Sequence, residues 1–117
     1  MSDERPARRE RPKPRKISPR YLENAALHYL KRYSTSVANL RRVLLRKIDR
    51  SVKAHGGERA AYAPMVEELL AKLERNALLD DAAFARTRVA SLQRRGTSRR
   101  AIRAKLQLKG VPKELLE

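Results

Sequence analysis

The stretch from residue 80 to residue 110 constrains the fold more than any other part of the chain. Asp80 or Asp81 can accept hydrogen bonds from the free N–H groups at the start of one helix, and Thr97 or Ser98 can do the same for a second helix. Glycines at positions 96 and 110 stand where a left-handed residue commonly ends a helix. The stretch therefore predicts two helices joined by a tight turn.

Beyond Asp81 the charge of this stretch has one sign, because no acidic residue occurs between Asp81 and Glu114. The whole chain of 117 residues has 29 Lys and Arg against 13 Asp and Glu, a formal net charge of +16. Such a charge opposes compaction and favours a polyanionic partner, such as nucleic acid, an acidic protein surface or anionic lipid. No apolar run approaches membrane-spanning length and no signal peptide is visible, so we expect a cytoplasmic protein without a membrane partner.

The composition favours packed helices over sheets. Hydrophobic residues make up 41% of the chain but aromatic residues only 4%, so the core must be built from Leu, Ala, Val and Ile. The sequence contains no alternating run of β-branched residues of the kind that predicts a strand. The absence of cysteine excludes disulfides and cysteine-ligated metal sites. We therefore expect an all-α protein that carries no cofactor or metal.

Residues 1–17 predict a disordered basic tail, because prolines interrupt a basic run that contains almost nothing apolar to bury. The tail either attracts phosphates non-specifically or is only a solvated, solubilising segment. Composition alone does not decide between these two interpretations.

Residues 18–79 predict a first repeat of three helices. Helix one is expected to start with Ser18 as cap and Pro19 in its first position, and helix two follows a cap within the run of hydroxyl residues at 34–36. Helix three is expected to start near Tyr62 or Pro64 and to close at Asn76. Apolar residues recur at three- and four-residue steps. The expected inward residues are Leu22, Ala25, Ala26, Tyr29, Leu30, Tyr33, Val37, Leu40, Leu44, Ile48, Val66, Leu69, Leu70 and Leu73, with Leu78 and Leu79 packing behind helix three.

Residues 80–117 repeat this pattern with a shift of 62 positions, the separation of Thr35 from Thr97. Cap, inward and basic positions coincide under the shift, which indicates an internal duplication. The third helix of this second repeat is expected to start at Pro112 and to be truncated at Glu117. The inward residues Ile102 and Leu106 of the second repeat are expected to pack against Phe84 and Leu92. They are also expected to pack against Leu69 and Leu73 of helix three in the first repeat.

No group of residues forms a pattern typical of an active site. Asp80 and Asp81 are adjacent, and adjacent helical side chains diverge by about 100 degrees, so cap and first-turn roles are favoured over a catalytic pair. His28 and His55 lack a second ligand at metal-binding spacing, which favours helix-end or packing roles. No phosphate-binding glycine loop or activated nucleophile is visible, so we do not expect an enzyme.

Two groups of basic residues at repeat spacing are the candidate binding surfaces. They are expected to lie outside the core without acidic neighbours, which favours a polyanionic partner over a merely solvated surface. The candidates are Arg41, Arg42, Arg46 and Arg50 in the first repeat, and Arg94, Arg95, Arg99, Arg100, Arg103 and Lys109 in the second. Most aromatic residues fall on inward stripes, so core packing is favoured over base stacking, which needs exposed rings interleaved with basic residues.

The stretch from residue 78 to residue 111 resembles the RecX family of regulators of the bacterial recombinase RecA. The resemblance rests on several short motifs in the same order and at the same spacing, and it covers about residues 20–117. The matching residues are Leu78-Leu79-Asp80-Asp81, Phe84-Ala85, Arg94-Arg95-Gly96, Ile102, Leu106 and Lys109-Gly110-Val111. The family commonly has a third repeat, for which we expect no counterpart within these 117 residues, whether the chain is naturally short or truncated. Residues 53–63 form a longer segment than a minimal repeat needs.

The resemblance implies tandem three-helix repeats and a non-enzymatic regulator that acts in DNA recombination, DNA repair and the SOS response. It implies binding in the groove of the RecA–DNA filament, restraint of RecA ATPase activity and strand exchange, and weak, non-specific contact with DNA. We expect such a protein to be a monomer. Two other interpretations stay open: a stand-alone DNA-binding protein, non-specific or helix-turn-helix-like, and a basic adaptor for another acidic protein.

Overall fold

A computed structural model describes residues 14–116, and this part of the chain is all-helical without a strand. It contains α1 (Pro19–Arg32), α2 (Val37–His55), α3 (Arg59–Arg75), α4 (Asp81–Arg94), α5 (Arg99–Leu108) and a 3₁₀ turn (Lys113–Leu115). The all-α prediction is therefore confirmed. Residues 1–13 of the predicted tail lie outside the described residues.

Capping side chains start four helices where the sequence predicts them. Oxygens of Ser18, Ser36, Asp80 and Ser98 each accept a hydrogen bond from the backbone N–H three residues later, at 3.0–3.2 Å. α3 begins without such a cap at Arg59, three residues before Tyr62, so the predicted start was late. Pro64 lies inside α3 rather than at its start, because the alanine-rich segment before it already forms a helical turn.

The helices enclose two separate hydrophobic cores. The first lies among α1, α2 and α3 and contains Leu22, Leu40, Leu44, Ile48, Val66, Leu69, Leu70 and Leu73. The second lies between α4 and α5 and contains Phe84, Ala85, Leu92, Ile102, Leu106 and Val111. The predicted packing of Ile102 and Leu106 against Leu69 and Leu73 is therefore wrong, because α3 uses its inward stripe on α1 and α2.

The expected inward positions include two that the structure leaves exposed. Tyr33 is 53% exposed because it follows the last turn of α1 with an extended backbone, at φ −134° and ψ 138°, and so leaves the helical stripe. Leu78 is 51% exposed, whereas Leu79 is 4% exposed and belongs to the first core. The turn before them contains Ala77 at φ 60°, and this left-handed backbone sends Leu79 inward and Leu78 outward.

The repeat pattern is visible in equivalent positions. Ser36 and Ser98 cap α2 and α5, and the buried pairs Leu40/Ile102 and Leu44/Leu106 follow each cap at the same spacing. After α5 the chain forms only the 3₁₀ turn, in place of the helix expected from Pro112. The boundaries 18–79 and 80–117 stay a prediction.

Candidate partner-binding surface

The two repeats meet where the N-terminus of α2 faces the start of α4 and the end of α5. The backbone N–H of Val37 donates a hydrogen bond to Asp81 Oδ1 at 2.8 Å, and Ser36 Oγ donates to the carbonyl oxygen of Lys109. Asp80 caps its own helix through a bond from the N–H of Ala83. The adjacent aspartates thus serve two helices: Asp80 caps α4, and Asp81, in the first turn of α4, caps α2 of the other repeat.

The end of α5 comes very close to α2. Gly110 has φ +81°, and a Cβ atom built on it would lie 2.4 Å from Cβ of Ala38. Arg42 Nη2 donates to the carbonyl oxygen of Leu108 at 3.2 Å. We call this set of contacts, from Ser36–Arg42 to Asp81 and residues 108–110, the inter-repeat joint.

Arg41 differs from the other candidate arginines because it is half-buried and ion-paired. Its Nε lies 2.8 Å from Glu67 Oε2 and its Nη2 lies 3.0 Å from Glu67 Oε1, a two-point contact between α2 and α3. This side-chain hydrogen bond with Glu67 raises the pKa of Arg41 above its ordinary value. The expectation that the first basic surface has no acidic neighbours is therefore wrong for Arg41.

Arg42, Arg46 and Arg50 are exposed along α2. Because successive members are four residues apart, they form one row along the helix. Arg42 begins this row at the joint, and Arg46 and Arg50 line a shallow groove with Tyr29 and Val43. The nearby carboxylate of Asp49 is paired with Arg59 at 3.1 Å.

The basic candidates of the second repeat are all exposed: Arg94, Arg95, Arg99, Arg100, Arg103 and Lys109. Arg99 and Arg103 lie one turn apart on α5 and are exposed, whereas Ile102 and Leu106 on the same helix are buried. Within residues 14–116, the ion pairs Arg41–Glu67, Arg59–Asp49 and Lys72–Glu23 all lie in α1–α3. The second-repeat surface therefore keeps its positive charge.

The inter-repeat joint brings the two basic surfaces into contact at one point. Arg42 reaches the C-terminal end of α5, the helix that carries Arg99 and Arg103. At about 1.5 Å per residue, the row from Arg42 to Arg50 is about 12 Å long and α5 is about 15 Å long. We define the basic surface below as this α2 row together with the six exposed candidates of α4 and α5.

The two histidines have different surroundings. His28 is exposed on α1, so the packing role considered for it is wrong. His55 is the last residue of α2, and its Nε2 lies 2.6 Å from the carbonyl oxygen of Pro14, before α1. Among residues 14–116, no group of His, Asp or Glu side chains is arranged to hold a metal ion. None of the helices in this part of the chain has the length and apolar character needed to cross a membrane.

Sequence reasoning missed the inter-repeat joint. The available signal was the doubled aspartate, because one cap satisfies the start of α4 and leaves the second carboxylate for another donor. Nothing in the sequence indicates that this donor is the N–H of Val37, 44 residues away. The exposed ring of Tyr33 was missed because a helical stripe was extended one residue beyond the last turn of α1.

Comparison with known proteins adds two matches. A family model described as the second three-helix domain of RecX matches residues 80–117. The protein named Regulatory protein RecX from Myxococcus xanthus (strain DK1622) is 58% identical over 104 residues, which cover 89% of this chain and 56% of that relative. The chain thus spans little more than half the length of this curated relative. No solved structure matches the chain.

Proposed function

This chain belongs to the RecX family, and from that premise we propose that it regulates RecA by binding the RecA–DNA filament and restraining its ATPase activity and strand exchange. The observation that carries the proposal is the exposed positive charge of α4 and α5, which has no carboxylate partner among the described ion pairs. A surface of this kind suits a filament that contains DNA, because complementary charge accelerates encounter and selects partners. The name of the relative, a regulatory protein, supports regulation rather than catalysis.

We assign the contact with the filament to the basic surface. Its side chains are exposed and most contribute little to the fold, since exposed charges have small effects on stability. Arg41 is excluded from the contact because its guanidinium is committed to Glu67. The protein acts as a cytoplasmic monomer in this proposal, with weak, non-specific DNA binding.

The direct test measures RecA ATPase activity on single-stranded DNA with and without this protein. Restraint of the filament predicts that the rate falls as the protein is added at micromolar concentration. An unchanged rate would contradict regulation by this chain alone and would favour direct DNA binding as its function.

Reversal of charge on α5 tests the surface itself. Arg99→Glu/Arg103→Glu should leave the melting temperature nearly unchanged, yet weaken co-sedimentation with RecA–DNA filaments by about tenfold or more, because like charges facing a partner are costly. Arg20→Glu/Lys53→Glu is the matched control, since both residues are exposed outside the surface and the net charge changes equally. Equal binding by the two variants would mean that net charge alone matters.

The same reversal tests the first repeat at Arg46 and Arg50. Arg42 is unsuitable for this purpose because its contact with the Leu108 carbonyl makes it part of the joint. Weaker filament binding by Arg46→Glu/Arg50→Glu is expected if both repeats contribute. Unchanged binding would restrict the contact to α4 and α5.

A helix-turn-helix DNA-binding function is the second candidate. The observation that favours it is the short turn between α4 and α5, followed by Arg99, Arg100 and Arg103 at the start of the second helix. Helix-turn-helix proteins place base-contacting residues at this position. If the protein binds all DNA sequences with similar affinity, and this affinity falls steeply with salt, the contacts are to phosphates only. Strong sequence selectivity that persists in salt would favour this second candidate.

A further inference from the structure

α1 ends on an exposed aromatic ring that follows two exposed basic residues. Tyr33 is 53% exposed, and Lys31 and Arg32 occupy the last turn of the helix just before it. Neither basic residue belongs to an ion pair among the described residues. An exposed ring beside cationic side chains is the combination with which proteins stack the bases of single-stranded nucleic acid.

The ring of Tyr33 is supported from one side. Its centroid lies 4.8 Å from that of Tyr29, with the ring planes at 42°. The hydroxyl of Tyr29 accepts a hydrogen bond from Asn39 Nδ2 at 3.2 Å, and the same nitrogen donates to Thr35 Oγ1 at 2.8 Å. This network ties Tyr29 to α2, so the ring behind Tyr33 is held in place. Support of this kind lowers the entropy cost of ordering Tyr33 when a ligand stacks on it.

A cleft opens beside Tyr33 between the two repeats. Its volume is about 350 Å³, and Leu30, Leu78 and Phe84 form much of its apolar lining. Leu78 is 51% exposed here because the left-handed Ala77 turns it outward. An apolar cleft next to a ring suits a nucleobase, which presents a π-face to be covered on both sides.

The charges around the cleft distinguish the parts of a nucleotide. The carboxylate of Asp80 lies in the lining, and one of its oxygens already accepts from the N–H of Ala83. A phosphate inside the cleft would be repelled by this carboxylate, whereas Lys31 and Arg32 attract phosphate outside it. The arrangement therefore favours a base inside and the backbone along the last turn of α1.

We propose that Tyr33 and this cleft bind single-stranded nucleic acid, with a base stacked on Tyr33 and the adjoining phosphates on Lys31 and Arg32. Nucleic acid is favoured over an apolar protein segment because the chain carries a net charge of +16 and its cleft is flanked by exposed basic residues. A single strand is required, because bases in a duplex already stack on each other and hide their faces. The site needs no RecA, so it stands or falls separately from the proposed function.

The test separates stacking from charge by comparing oligo(dT) with an abasic oligodeoxynucleotide of the same length. The two carry the same phosphates, and binding of each is measured by fluorescence anisotropy at fixed salt without RecA. The parent protein should prefer oligo(dT) by about fivefold or more, as one stacked base predicts. Tyr33→Leu should remove this preference without weakening abasic binding, whereas Tyr33→Phe should keep it.

A second measurement observes the ring directly. The chain contains no tryptophan, so Tyr33→Trp introduces a single indole reporter. Oligo(dT) should quench its fluorescence and the abasic oligomer should not. Tyr62→Trp is the control, because Tyr62 packs against Gly57 beyond the opposite end of α2.

Two results would overturn the proposal. One is an undiminished preference for oligo(dT) in Tyr33→Leu that melts like the parent. The other is unchanged binding of both oligomers by Tyr33→Leu together with weaker co-sedimentation with RecA–DNA filaments. The second result would assign the exposed ring to a protein contact instead.

Discussion

At the residue scale, Gly96 and Gly110 occupy similar helix ends but have different surroundings. Both are left-handed, with φ +78° and +81°. The space beside Gly96 is open, whereas a Cβ atom on Gly110 would lie 2.4 Å from Cβ of Ala38. The left-handed backbone requires glycine at both positions. At Gly110 the close approach of Ala38 is a second reason for glycine.

We expect Gly110→Ala to destabilise the protein more than Gly96→Ala. A left-handed alanine costs about 1–2 kcal/mol, and only Gly110→Ala adds the collision with Ala38. Ala38→Gly should recover part of this loss in the Gly110→Ala background, although Ala38→Gly alone is destabilising within a helix. Urea denaturation of the single and double variants measures these effects. Equal losses from the two alanine variants would contradict the close approach at the joint.

At the element scale, α2 and α5 begin with equivalent serine caps that have unequal duties. Ser98 Oγ accepts from the N–H of Ala101 at 3.2 Å and lies at the surface. Ser36 Oγ accepts from the N–H of Asn39 at 3.1 Å and also donates to the carbonyl of Lys109, and the residue is fully buried. Ser98 only caps the start of its own helix, whereas Ser36 also holds the end of α5 in the second repeat.

We therefore expect Ser36→Ala to cost more stability than Ser98→Ala. Loss of a cap alone costs about 1 kcal/mol, which should be the whole effect of Ser98→Ala. Ser36→Ala also leaves the Lys109 carbonyl without its donor, a further loss of about 1–3 kcal/mol. Thermal or chemical unfolding of the two variants provides the comparison. A loss of only a cap's size from Ser36→Ala would show that the joint contributes little.

The sequence predicts helix starts better than it predicts contacts between helices. Ser18, Ser36, Asp80 and Ser98 are local signals, since a cap acts on the N–H groups of the next three residues. The start of α3 was misplaced because Glu58 gives it no side-chain cap and Pro64 suggested a boundary. The split into two cores was not predicted, because periodicity identifies an apolar stripe but not the helix that covers it.

At the scale of the whole molecule, repulsion between like charges opposes the stability that the two small hydrophobic cores provide. The chain has a net charge of +16, and only three ion pairs join described residues, all of them partly exposed. Each such pair contributes about 0–1 kcal/mol. Repulsion among the basic residues is therefore expected to outweigh these pairs.

We expect the melting temperature to rise with salt, between about 10 mM and 0.3 M NaCl, because the Debye length shrinks and screens the repulsion. Arg99→Glu/Arg103→Glu should show a smaller rise, since that variant carries less positive charge. Differential scanning fluorimetry across the salt series measures both. A melting temperature that falls with salt would indicate that the ion pairs dominate.

The candidate surface was only partly predictable at this scale. Exposure of Arg94, Arg95 and Arg99 follows from their positions at the end of α4 and the start of α5, beside the turn that joins the two helices. The commitment of Arg41 to Glu67, and of Arg42 to the Leu108 carbonyl, depends on tertiary packing that no local pattern encodes. The composition correctly indicated excess positive charge but not which arginines already had partners.

The acceptors in the inter-repeat joint have a consequence for how this chain can change over evolutionary time. Ser36 and Arg42 donate to the backbone carbonyls of Lys109 and Leu108, whose own side chains are exposed. Every residue supplies a backbone carbonyl, so the side chains at positions 108 and 109 can be substituted without loss of the hydrogen bonds that join the repeats. A new partner can therefore be accommodated by altering the side chains at these two positions, while Ser36, Asp81 and Gly110 keep little such freedom.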